Sequence, residues 1–144
     1  MAGPYPLFVL MLAAGCVVAA VLVGGCLGGS PTAENGMVRT IPPAEAFALI
    51  EENKNCPDLV VIDVRRPDEF AGGHIEGAVN INSATFSGHL AELDPNGTYV
   101  ICCQRGARSA GVREMMRDAG FREVYEIEGG MNAWTAAGFP VVGG

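Results

Sequence analysis

A chain of 144 residues with 49% hydrophobic content has room for one domain and a short appendage. Its net charge of -7, with basic residues scattered apart from one small group near Arg105, excludes a nucleic-acid binder, which needs a basic face or stripe. That group is the only local positive field in an acidic chain, and it suits a small anion better than a polymer.

The first 33 residues carry no Asp, Glu, Lys or Arg, so the positive mean hydropathy of +0.27 comes largely from this end. Leu7 to Val23 is an uninterrupted apolar run, near the lower limit for a membrane helix and long for the core of a signal peptide. Val23-Gly24-Gly25-Cys26 follows and resembles the lipobox of a prokaryotic lipoprotein, in which small residues admit the peptidase and the Cys26 thiol takes the lipid. Residues 1–26 are thus read as a lipoprotein signal or an uncleaved membrane anchor; the leading MAGPYP departs from the signal pattern by lacking Lys and Arg. Either reading places the domain outside the cytoplasm. Residues 27–37, rich in Gly, Ser, Pro and Thr, form a flexible linker to a domain over 38–144.

In that domain short apolar runs alternate with helical patterns, which predicts an α/β fold with a mostly parallel sheet of about five strands. Met37 to Thr40 is an edge strand. A helix opens at Ile41 to Ala44 and runs to about Glu52, with Ala46, Phe47 and Ile50 on one face. Leu59 to Ile62 is a strand covered on both sides, followed by a short helix from Pro67 to Phe70. Val79 to Ile81 is a strand, Phe86 to Leu93 a helix, and Asp94 to Gly97 a turn. Thr98 to Cys102 is a third buried strand, Ser109 to Ala119 a helix capped by Gly120, Val124 to Ile127 a strand, and Met131 to Ala137 a last helix.

The segment Cys102-Cys103-Gln104-Arg105-Gly106-Ala107-Arg108-Ser109 joins a predicted strand to a predicted helix. A loop there gathers backbone N–H groups at the helix N-terminus, and Gly106 allows a positive φ. A thiolate held by those groups, the helix dipole and two guanidinium groups should form at lowered pH, and the arginines can hold an oxyanion.

Cys103 to Ser109 resembles the active-site loop of the rhodanese family, Cys-x-x-Gly-x-Arg-Ser. Ile62-Asp63-Val64-Arg65 with Glu69-Phe70, Gly73 to Ile81, and Val124-Tyr125 through Glu128 to Trp134 resemble its other signatures in order, covering nearly all of Val38 to Val142. The resemblance implies a three-layer rhodanese-like fold and sulfur transfer. Cys103 would take a sulfane sulfur from an anionic donor such as thiosulfate and pass it, as a persulfide, to a thiophilic small molecule or protein thiol. It implies no metal and no organic cofactor. Gln104, Arg105, Gly106, Ala107 and Arg108 would cradle the persulfide through their N–H groups, with Arg105 facing the donor and Arg108 holding the loop. Asp63, Arg65 and Ser109 would support the site, the first two as an ion pair.

Other features have simpler readings. Cys102 is a small core residue at a strand end, Cys56 an incidental thiol, His74 a hydrogen-bonded structural histidine, His89 a surface residue on a helix and Trp134 a core anchor. The acids form a solvated surface. Two other functions fit the loop. From Cys102 to Arg108 the spacing is Cys-x5-Arg, that of cysteine-dependent phosphatases. A persulfide-binding module serving a protein partner, without turnover, would carry the same loop.

Overall fold

The computed structural model describes residues 36–144; the apolar run and Cys26 lie outside them. Strands β1 (Met37–Ile41), β2 (Leu59–Asp63), β3 (Val79–Asn80), β4 (Thr98–Cys102) and β5 (Glu123–Ile127) form one sheet in the order β1-β5-β4-β2-β3. Every pairing in it is parallel. Helices α1 (Pro43–Glu52), α2 (Pro67–Ala71) and α3 (Ala107–Asp118) each join two strands, and α4 (Gly130–Ala136) follows β5.

A parallel sheet must be covered on both faces, and side chains along each strand alternate between them. One core gathers Ile41, Ala46, Ile50, Val61, Val100, Cys102 and Trp134 beneath α1 and α4. The other gathers Ile62, Phe86, Tyr99, Ile101, Cys103, Val112 and Met116 beneath α3. Neighbouring residues of β4 therefore serve opposite cores, and the two adjacent cysteines part company there. Trp134 anchors α4, with its indole N–H donating to the Pro140 carbonyl at 2.9 Å and its ring against Phe47 and Phe139.

The strand expectations hold to within a residue or two, including the edge position of β1. The expected helix from Phe86 to Leu93 is instead two single 3-10 turns, Phe86–Gly88 and Leu90–Glu92, with His89 between them. Phe86, Leu90 and Leu93 all pack on the core beneath α3, but Ser87 and Gly88 are weak helix formers, and single turns replace the helix. Helix α3 begins at Ala107 rather than Ser109, because Gly106 at φ 100° turns the chain directly into it.

Candidate active site

The loop from Cys103 to Gly106 leaves the C-terminal end of β4, where open α/β sheets place their ligand sites, and enters the N-terminus of α3. The Gly106 N–H donates to Cys103 Sγ at 3.1 Å. The Ser109 hydroxyl, on the first turn of α3, lies 3.4 Å from the same sulfur. Burial pushes the Cys103 thiol up, but the Ser109 hydroxyl and the N–H groups of Ser109, Arg105 and Gly106 outweigh it and hold the thiol below its ordinary value.

The N–H groups can point inward because the carbonyls are held outward. The first N–H groups of α4 donate to the loop: Met131 N to Cys103 O at 2.8 Å, and Asn132 N to Gln104 O at 3.1 Å. Gly130 makes that approach possible. At φ +58°, a Cβ there would stand 2.2 Å from the Cys103 carbonyl oxygen. Two orphan donors of one helix thus satisfy two carbonyls of the loop.

Gln104 is tied at both ends of its amide, accepting from Arg65 Nη1 at 3.1 Å and donating to Asn132 Oδ1. Behind it lies a buried ion pair. Arg65 donates to Asp63 through Nε and Nη2, the latter at 2.7 Å, and to the Gly73 carbonyl at 2.6 Å. Among the described residues, the Asp63–Arg65 pair hydrogen-bonds to the loop through Gln104.

Arg108 donates to both carboxylate oxygens of Glu69, at 2.7 and 2.8 Å. That forked hydrogen bond is the main cause holding the Glu69 carboxyl down to about 2, and it raises the Arg108 guanidinium in turn. Glu69 also accepts from the Arg66 N–H at 3.1 Å, so one carboxylate caps α2 and fixes the loop. The Arg105 side chain, by contrast, is exposed and makes no hydrogen bond or ion pair among the described residues. A cavity of about 350 Å³ opens between these groups, lined by Glu69, Cys103, Gln104, Arg105, Ala107 and Arg108. Its single uncompensated cation is Arg105.

Cys102, one residue away, is fully buried in the opposite core, and burial with the nearby Asp63 carboxylate pushes its thiol well above the ordinary range. Cys102 and Cys103 are the free cysteines among the described residues; Cys56, expected as an incidental thiol, is not one of them. His74 stacks on Phe70 with ring centroids 3.8 Å apart and shares its Nδ1 with the Phe70 carbonyl, away from the cavity. No cluster of metal-ligating side chains occurs among the described residues.

Two acids next to the site had no role assigned from the sequence. Glu69 carried a visible signal, an acid three residues beyond the start of a helix. Glu126 carried none. Expected as a surface acid, it is buried at 3% exposure and accepts from the Ser109 hydroxyl at 2.8 Å.

The sequence pattern of the rhodanese-like domain matches residues 46–137. The thiosulfate sulfurtransferase GlpE of Pseudoalteromonas translucida is 32% identical over 94 residues, covering 65% of this chain and 86% of that protein. A rhodanese-related protein from Thermoplasma volcanium superposes with a TM-score of 0.62 at 31% identity, covering 72% of this chain and 97% of that one. A Rhodopseudomonas palustris protein of unknown function, described as a possible tyrosine phosphatase, superposes at 0.63 with 26% identity, covering 79% of this chain and all of that one (100%).

Proposed function

The chain belongs to the rhodanese-like domain family, and from that premise we propose that it transfers a sulfane sulfur through Cys103. The Cys103 thiolate attacks the outer sulfur of a donor such as thiosulfate. A sulfur–sulfur bond forms on Cys103, the donor's own sulfur–sulfur bond breaks, and sulfite departs with the electron pair. The persulfide then gives its terminal sulfur to a thiophilic acceptor. With cyanide the product is thiocyanate, and the Cys103 thiolate returns.

One observation carries this reading: a thiol of lowered pKa sits where N–H groups converge, beneath an unpaired arginine. Only a thiolate is an effective nucleophile here, and a forming persulfide anion needs the same donors. Arg105 is then the donor-binding cation, while Gln104, Gly106, Ala107 and Arg108 shape the cradle and Asp63, Arg65 and Ser109 support it. The phosphatase reading would need Cys102, whose side chain belongs to the other core.

Thiocyanate production from thiosulfate and cyanide by the full chain tests the proposal. Multiple turnovers support it. A single equivalent of persulfide on Cys103 without thiocyanate would instead favour a carrier that delivers sulfur to a protein partner.

The same proposal includes a membrane tether. The apolar run from Leu7 to Val23 and the Val-Gly-Gly-Cys that follows support either a lipid on Cys26 or an uncleaved N-terminal helix, with the domain outside the cytoplasm. Among the described residues, no helix is long and apolar enough to cross a membrane.

A further inference from the structure

A buried carboxylate stands directly behind the nucleophile. Glu126 Oε1 accepts from Ser109 Oγ at 2.8 Å, and Ser109 Oγ is 3.4 Å from Cys103 Sγ and 3.0 Å from the Gly106 carbonyl. Glu126 Oε2 accepts from Arg113 Nη1 at 2.8 Å and from the Thr40 hydroxyl at 3.1 Å.

A serine hydroxyl has one hydrogen, and here three acceptors surround it. The carboxylate is the nearest and carries the charge, so it draws the hydrogen away and weakens the longer donation that helps hold the Cys103 thiolate. The smaller the share of that hydrogen left to Cys103, the less its thiolate is favoured, and the Glu126 charge behind Ser109 opposes a thiolate further. Arg113 offsets part of that charge and is itself shared with Glu114, to which its Nη2 donates at 3.0 Å. The other charges around Cys103 are Arg105 above it, the Arg108–Glu69 pair at the mouth, and the Asp63–Arg65 pair behind Gln104.

We propose that Glu126 is a positioning residue that withholds the Ser109 proton from Cys103 and so sets how readily that thiol ionises, with Arg113 as its counterweight. The loop's N–H groups favour the thiolate, and Glu126 pushes back. The benefit lies in nucleophilicity, which falls as a thiol becomes more acidic and is best near ambient pH. A cradle strong enough to bind a persulfide would otherwise leave a thiolate too weak to attack.

The inference rests on Cys103 being the reactive thiol, but its readout needs no sulfur donor. In the full chain, alkylation by iodoacetamide is followed against pH and read at Cys103 by fragment-ion mass spectrometry. Glu126→Gln keeps the shape and an acceptor oxygen while removing the charge, and its midpoint should fall by about one pH unit. Arg113→Gln strips the counterweight, and its midpoint should rise by about half a unit or more. A merely structural pair would move both variants the same way, and that result overturns the proposal. An unchanged or raised midpoint in Glu126→Gln does so as well. If melting curves show that Glu126→Gln is unfolded, Arg113→Gln decides alone: an upward shift supports the proposal and anything else ends it. A wild-type Cys103 that resists alkylation at every pH would sink the underlying reading instead, and this one with it.

Discussion

Cys102 and Cys103 are both buried, but they face opposite sides of the sheet and only Cys103 lines the cavity. Strand alternation sends Cys102 into the core beneath α1 and α4, while Cys103 turns toward α3 and its N–H donors. Cys103→Ser should abolish sulfur transfer, since a hydroxyl there does not ionise in the working range. Cys102→Ser should keep most activity and lose about 1–2 kcal/mol of stability for an unpartnered hydroxyl in the core. Thiosulfate treatment followed by peptide mapping checks both, and added sulfur on Cys102 would reverse the assignment. Arg105→Ala should weaken thiosulfate use several-fold with little change in melting temperature, because the side chain supports nothing in the fold. Unchanged donor kinetics would remove Arg105 from the site. Glu69 adds a pH dependence. The Arg108 fork depresses its carboxyl to about 2, below an unfolded value of about 4.3, so the stability it contributes is complete above the unfolded value. That contribution is lost as pH falls from about 4 through 2, and Glu69→Gln should flatten the decline of the denaturant midpoint over that window.

Elements were legible where one pattern decided them. Val60 to Ile62 and Val100 to Ile101 read as strands because a sheet covered on both faces needs continuous apolar runs. The loop was legible because Cys103 to Ser109 resembles the rhodanese active-site loop and Gly106 supplies the positive φ that such a strand-to-helix turn needs. Three things were not legible. The segment around His89 has helix-like apolar spacing, but Ser87 and Gly88 are weak helix formers and it folds as two 3-10 turns. The Glu69–Arg108 fork joins residues 39 apart, and no local pattern announces it. Glu126 alternates with apolar residues along β5 as a surface acid would, and only the placement of α3 reveals it as buried. The contact between α4 and the loop carries its own prediction. Gly130→Ala would drive a Cβ into the Cys103 carbonyl from a left-handed backbone position, so α4 must withdraw. We expect a loss of about 1–3 kcal/mol together with a rise in the pH at which Cys103 alkylates, as the carbonyls are released and the N–H groups turn away. Stability loss with an unchanged alkylation profile would show that α4 does not shape the loop.

At the scale of the molecule, a two-faced sheet completes both cores within the described residues, and the apolar N-terminal run lies outside them. If that run is a lipoprotein signal, mass spectrometry of membrane-extracted protein should find a lipid on Cys26 and no residues before it. Cys26→Ala should then retain its first 25 residues. A wild-type chain intact from Met1 would favour the uncleaved helix.

The all-parallel sheet also sets the order in which the Cys103 loop can be assembled. No two strands can pair as a hairpin, and β1 waits for β5, with Thr40 and Glu126 lying 86 residues apart where they meet. The helix that holds the loop carbonyls outward comes later still, after β5. During synthesis, then, a ribosome that has released everything through α3 has exposed Cys103 and its Gly106 and Ser109 donors but not the α4 N–H groups that hold the loop carbonyls outward. The loop reaches its final shape only when α4 has emerged and docked.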